Sequence, residues 1–146
     1  MKKIAKHTVA AVVLVASLIA GCSQEPAEIH YGDDQCAHCR MAISDSRFVA
    51  QIVTEKGKPV KFDAIECMIA YQKSGNTDLK NVKLWVGSFT EPGRWLPLEE
   101  AYIVKSDVIK SPMGESLLAL PSSAAADEHL KEYPGEVTEW TAPGAM

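Results

Sequence analysis

The sequence predicts an α+β fold, two ββαβ-like units packed as one compact domain. Three observations lead there. Beyond an export leader, residues 22–146 remain, a length that suits one domain with a real core. Residues 48–86 read in order as strand, tight turn, strand, helix and strand. The second half again offers strands, a helix and a closing strand, although no residue-level repeat joins the halves.

The leader comes first. Lys2, Lys3 and Lys6 form a basic start, and Thr8 to Ala20 is an almost unbroken apolar run, too short to span a bilayer well. It ends in Ile19-Ala20-Gly21-Cys22, so residues 1–21 read as a secretory signal. The small residues before Cys22 resemble the lipobox of bacterial lipoproteins, which implies lipid on Cys22 as the mature N-terminus. The expected location is the periplasmic face of a membrane. With Ser23 after the cysteine, it is the outer membrane if the cell is Gram-negative. Residues 22–33 are polar and unpatterned and read as a lipid-anchored tether.

Residues 34–141 read as the domain. Phe48 to Thr54 alternates in part, with Val49, Ile52 and Val53 apolar, and reads as a strand. Glu55-Lys56-Gly57-Lys58 is a turn, and Pro59 to Phe62 returns as the second strand of a hairpin. Asp63 reads as a helix N-cap with Glu66 three residues on. Ile65, Met68, Ile69 and Tyr71 carry a rough helical period, which Gly75 ends. Cys67 and Met68 then fall in the middle of that helix. Val82 to Val86 is the next strand. In the second half, Arg94–Pro97, Ala101–Lys105 and Ser116–Leu120 are short strands. Ser122 caps a helix to about Glu132, Pro134-Gly135 stops it, and Val137 to Thr141 closes the domain. Residues 142–146 read as a flexible tail.

Removing residues 1–21 takes away three lysines and no acids, so the net charge falls from −4 to −7. An acidic mature chain argues against nucleic-acid binding. Without Cys22, three cysteines remain, Cys36, Cys39 and Cys67. An odd number outside the cytoplasm leaves one thiol outside any intramolecular disulfide. A Cys36–Cys39 or Cys39–Cys67 bridge with a buried spare is one reading. Metal binding accounts for all three.

Methionines accompany these thiols, and cysteine with methionine is the soft-ligand set that favours Cu(I). Cys36-x-x-Cys39 with Met41 packs three sulfurs into six residues. Met41 can serve as ligand or as core filler. Met113 stands between Pro112 and Gly114, a turn setting in which a thioether has little packing purpose. Cys67 is the better ligand of the Cys67-Met68 pair, because adjacent helical residues point about 100° apart. A buried, inert Cys67 is the alternative. His30 and His38 can add nitrogen donors, whereas His129 reads as solvent-facing and Trp85, Trp95 and Trp140 as core or sheet-face residues.

Two rival readings stand beside copper. One is a structural-zinc, treble-clef-like binding module holding Zn with Cys36, Cys39, Cys67 and either His38 or His30. The other is a periplasmic thiol redox or organomercurial-lyase-like enzyme. Against enzymes, there is no Gly-rich phosphate loop and no nucleophile elbow, and the Cys pair does not open a helix after a strand.

Several segments together resemble the NosL family: the lipobox, Tyr31-Gly32-x-Asp34-x-Cys36-x-x-Cys39-x-Met41, Arg47-Phe48, Phe62-Asp63-x-Ile65-x-Cys67-Met68 and Pro112-Met113-Gly114. The resemblance implies a non-enzymatic, copper-binding lipoprotein. It would act as a Cu(I) metallochaperone in maturation of nitrous oxide reductase. Its partner would be that enzyme or its membrane ABC-type copper-assembly complex. The implied fold has two ββαβ units and is similar to organomercurial lyase. The family's Cys-x-Met and later Met-Gly fall on Cys39, Met41 and Met113. Cys36 and Cys67 occur in only part of the family and leave room for a thiol-richer site.

Overall fold

The structure is a computed structural model that describes residues 23–75 and 80–138. The leader, Cys22, Trp140 and the tail lie outside the described residues. The elements run β1 (Ala50–Val53), β2 (Pro59–Phe62), α1 (Ile65–Lys73), β3 (Lys83–Gly87), β4 (Trp95–Pro97), β5 (Tyr102–Ser106), β6 (Leu117–Leu120), α2 (Ser123–Glu132) and β7 (Gly135–Thr138). A single 3₁₀ turn, Leu98–Glu100, follows β4.

All strand pairs within the two sheets are antiparallel. One sheet has the order β2-β1-β3-β4 and the other β6-β5-β7. In each, the first strand is central, flanked by its hairpin partner and by the strand that returns after the helix. The two units therefore share one ββαβ topology, and the fold is α+β as expected. β4 is an addition. Read from the sequence as part of the second half, it pairs with β3, Leu96 opposite Val86. The sheets meet where Ser88 bridges Ala119 in parallel and the Phe89 N–H bonds the Ala119 carbonyl at 2.9 Å. The larger core spans both units, with Ile43, Ile52, Phe62, Ile65 and Met68 from the first and Ile103 and Ala119 from the second, while a smaller cluster of Val104, Leu120 and Ala126 lies under the second helix.

Close approach explains one glycine. A Cβ on Gly87 would run into the Ser46 carbonyl oxygen and the Val49 side chain, so the turn that leads into β1 crosses β3 only over a bare backbone.

Three expectations are corrected. Residues 24–29, read as a tether, are laid against the first sheet. Buried Gln51 on central strand β1 brackets Ala27, donating to its carbonyl at 2.6 Å and accepting from its N–H at 3.0 Å. Trp85 donates to the Gln24 carbonyl at 2.9 Å, and Ile29 enters the core. A buried amide must be satisfied, and here a sequence-distant segment does it. Second, Asp63 does not cap α1. Ala64 holds the N-cap position without a side-chain bond, and Asp63 instead accepts from the Ser44 N–H at 3.4 Å. Third, Cys67 stands in the first turn of α1, not its middle. The second helix follows its local signal: the Ser122 side chain caps it by accepting from the Ala125 N–H.

Glu66, read as the other half of a capping box, turns into the protein. Its Oε1 accepts from the Ser111 hydroxyl at 2.5 Å and from the Leu117 N–H at 3.0 Å. This carboxylate fastens α1 of the first unit to the start of β6 in the second. Glu66→Ala is expected to lower unfolding stability by about 2 kcal/mol or more, because it leaves buried donors unpaired. Glu66→Gln, which keeps an acceptor oxygen, should lose less. Urea denaturation of both variants checks this; equal stability of Glu66→Ala and the parent would refute it.

Candidate metal centre

The Cys36-x-x-Cys39 turn closes a short ribbon. Gln35 bridges Ala42, the Cys36 N–H bonds the Met41 carbonyl at 2.8 Å, and the Arg40 N–H bonds the Cys36 carbonyl at 3.0 Å. Arg40 takes a left-handed conformation, φ +67, to make this reversal. A non-glycine residue there costs roughly 1–2 kcal/mol, so the turn is held by its surroundings. The Ala37 N–H pins it to β2 through the Lys61 carbonyl at 2.9 Å, and Lys61 Nζ reaches Asp34 Oδ2 at 2.6 Å.

The turn delivers two thiols to the first turn of α1, where Cys67 waits. The three Sγ atoms lie within 4.8 Å of one another. Three thiolates each about 2.3 Å from one ion would sit about 4 Å apart, so the trio needs only slight contraction to share a metal. Cys36 and Cys67 are buried and Cys39 is partly open to solvent. Among the described residues no other His, Cys, Asp or Glu joins this cluster. His30 and His38, weighed as a fourth zinc ligand, are exposed and stand outside it.

The thiols do not share their protons equally. The Cys67 thiol donates to Cys36, and the N–H groups of Asp63, Cys39 and His38 add further bonds, which together outweigh burial and bring Cys36 down to about 4. Cys67 is raised, first because it is the donor to Cys36 and then by burial. Burial, partly offset by the Met41 N–H, raises Cys39. The apo cluster thus holds one thiolate at Cys36 and two thiols, which keeps three sulfurs together with one negative charge.

The methionines divide from the cysteines by exposure. Met41 is 52% exposed and Met113 42% exposed, so neither is core filling. Met113 stands at the tip of a turn closed by Gly114 N–H to the Ser111 carbonyl at 2.9 Å. Ser111 also accepts from the Ser116 N–H at 3.0 Å while donating to Glu66, the neighbour of Cys67. Met113 is therefore anchored through two residues to the first turn of α1. Sequence reasoning missed Glu66 and Ser111; an acid in the apolar run Ile65 to Ile69 was the available signal.

The sequence matches the model of the NosL family over residues 26–142. No curated protein matches it. The fold is similar to the crystal structure of the copper chaperone NosL from Shewanella denitrificans. The TM-score is 0.68 at 14% identity, over 81% of this chain and 94% of that one. At that identity the likeness concerns the fold.

With one thiolate and two thiols at neutral pH, a metal taken by all three sulfurs releases two protons, from Cys39 and Cys67. Affinity is then expected to rise with pH, approaching a hundredfold per unit (about tenfold for each proton released) between about pH 6 and 8. Chelator competition across that range, corrected for the chelator's own titration, reads the slope. A flat profile would show that the two thiols are not ligands.

Proposed function

This chain belongs to the NosL family, and on that premise we propose that it is a lipid-anchored Cu(I) carrier, not an enzyme. Copper is its cargo. Its client is nitrous oxide reductase or the membrane ABC-type complex that assembles that enzyme's copper. Three thiols within 4.8 Å, with no fourth His, Cys, Asp or Glu beside them among the described residues, carry the reading. A structural zinc site closes four ligands around the ion, whereas soft thiolates in lower number suit Cu(I) and leave one side open. The location supports this use only if the leader is cleaved and Cys22 is lipidated, which places the domain outside the cytoplasm.

Delivery is ligand exchange. Cys36 and Cys67, buried, hold the ion from inside. Cys39, partly open, faces the approaching partner. A sulfur or imidazole nitrogen of the partner forms a bond to Cu(I) while the Cys39 bond breaks; further partner ligands then displace Cys67 and Cys36, and Cys39 and Cys67 take back from water the two protons lost on loading. Copper keeps its oxidation state throughout. Met41 and Met113 offer exposed thioethers that bind Cu(I) weakly and exchange it fast, which suits loading and release. The acidic mature chain favours a partner with a cationic face.

Anaerobic Cu(I) titration against a competing chelator, with Zn(II) in parallel, tests the proposal. The expected result is one Cu(I) per chain that Zn(II) does not displace, abolished in Cys39→Ser. Met113→Leu should keep the fold and lower Cu(I) affinity or transfer rate by about tenfold, equal to 1.4 kcal/mol. Displacement by Zn(II) would move the site to the structural-zinc class. Turnover of an organomercurial or disulfide substrate that depends on Cys39 but not on either methionine would make the protein an enzyme.

A further inference from the structure

Little free chain separates Cys22, the proposed lipid-bearing residue, from the domain. Gln24 is already tied down. Its Nε2 donates to the Asn81 carbonyl at 2.7 Å and to the Val53 carbonyl at 3.4 Å, and its own carbonyl accepts from Trp85 Nε1 at 2.9 Å. Gln51 then holds Ala27, and Ile29 enters the core, so the segment runs as a strap across the first sheet. Cys22 precedes Gln24 by two residues, which span at most about 7 Å. A lipid on Cys22 therefore enters the bilayer beside Gln24, with little slack to turn the domain over.

Gln24 marks one end of the first sheet. Val53 closes β1, Pro59 opens β2 and Lys83 opens β3, and the three stand side by side in the register. The hairpin turn of residues 55–58 projects beyond them. The thiol cluster is at the opposite end. There Phe62 closes β2 against Ala50 at the start of β1, Ala37 of the Cys36-x-x-Cys39 turn bonds the Lys61 carbonyl, and Cys67 follows in the first turn of α1. From Pro59 to Phe62 the strand separates the two ends by about 10 Å, and the turns on either side add to that.

The charge of the Gln24 end suits a lipid surface. Lys56 and Lys58 in the hairpin turn, Lys80 beside Asn81, and Lys83 are all exposed. Lys83 Nζ stands 5.9 Å from the centroid of the Trp85 ring, whose N–H holds Gln24. Among the described residues, Lys56, Lys58 and Lys83 form no salt bridge. Glu25 and Glu55 are the acids beside them, while Glu99 and Glu100 lie on the β4 side, away from the hairpin turn. The mature chain carries a net −7, so anionic headgroups repel it as a whole and attract this end. That attraction reaches about 10 Å at moderate salt, far enough to cover the turn beside the anchor.

Given the lipid anchor proposed above, we infer that the hairpin-turn end of the first sheet is a docking surface for anionic phospholipid headgroups, which holds the thiol cluster on the side away from the bilayer. Docked this way, Cys39 faces the aqueous space, and a partner reaches it without displacing lipid.

Differential acylation of lysines tests the docking surface. The full chain is produced with its leader in a bacterial host, and the mass of its N-terminal peptide reads the lipid on Cys22. The processed protein is bound to vesicles of phosphatidylcholine, alone or mixed with phosphatidylglycerol, and labelled with a water-soluble amine reagent. Lys56, Lys58 and Lys83 are expected to react about fivefold more slowly on the anionic vesicles than on the neutral ones, and Lys110 and Lys131 of the second unit at the same rate on both. Molar salt should abolish the difference. Equal rates on the two vesicles, or a slowing shared by Lys110 and Lys131, overturn the docking surface and leave the anchor standing. An N-terminal peptide without lipid overturns the anchor and the docking surface together.

Discussion

The carboxylate of Glu66 ties the molecule together. Held inside the fold, its Oε1 takes the Ser111 hydroxyl and the Leu117 N–H, and so clamps the first helix onto the beginning of β6. One cysteine of the thiol cluster and the Met113 turn adjoin that clamp. Cys67 is the following residue. The Met113 turn hangs from Ser111, and Ser116 adopts φ +70 so that its N–H can close back on the same hydroxyl. Buried polar bonds of this kind define one arrangement and penalise others, because each partner lost is a desolvated group without compensation.

On this frame the thiol cluster is assembled from two directions. A strained, four-residue turn brings Cys36 and Cys39, and the first turn of α1 brings Cys67. The N–H groups of the turn and of Asp63 are already aimed at Cys36, so its thiolate is stabilised before any metal arrives. Preorganisation of this sort shifts the cost of gathering soft ligands from binding to folding. The gradation in exposure, from buried Cys36 and Cys67 to partly open Cys39, gives the cluster an inside and an outside. A carrier that must both retain and surrender an ion needs that asymmetry.

The ββαβ topology occurs twice, with different side chains at its two helices. In the first unit the helix N-terminus supplies a thiol to a metal-sized cluster. In the second the corresponding helix, short of apolar residues, buries Ala126 and His129 and stacks His129 on Tyr133. The same backbone plan thus carries a thiol cluster at one helix and an aromatic contact at the other, since topology places elements and side chains decide what they do.

Much of this was legible from the chain alone. The hairpin between β1 and β2, the Ser122 cap, the Gly75 stop and the grouping of Cys36, Cys39 and Met41 all follow from interactions between residues a few positions apart, which is what local pattern encodes. The association of Cys67 with that pair was suggested by residue type and by family likeness; its geometry was not. What only the tertiary structure decided were the fates of polar groups whose partners are distant in sequence. Local rules read Asp63 and Glu66 as a capping box, residues 24–29 as a tether, His129 as a surface residue and β4 as part of the second unit. Each was overruled by burial: Glu66 found Ser111 and Leu117, Gln51 captured Ala27, His129 turned onto Phe89, and β4 completed the first sheet. A buried polar atom takes whatever partner the whole fold brings within reach, and that choice is not written in its neighbours along the chain.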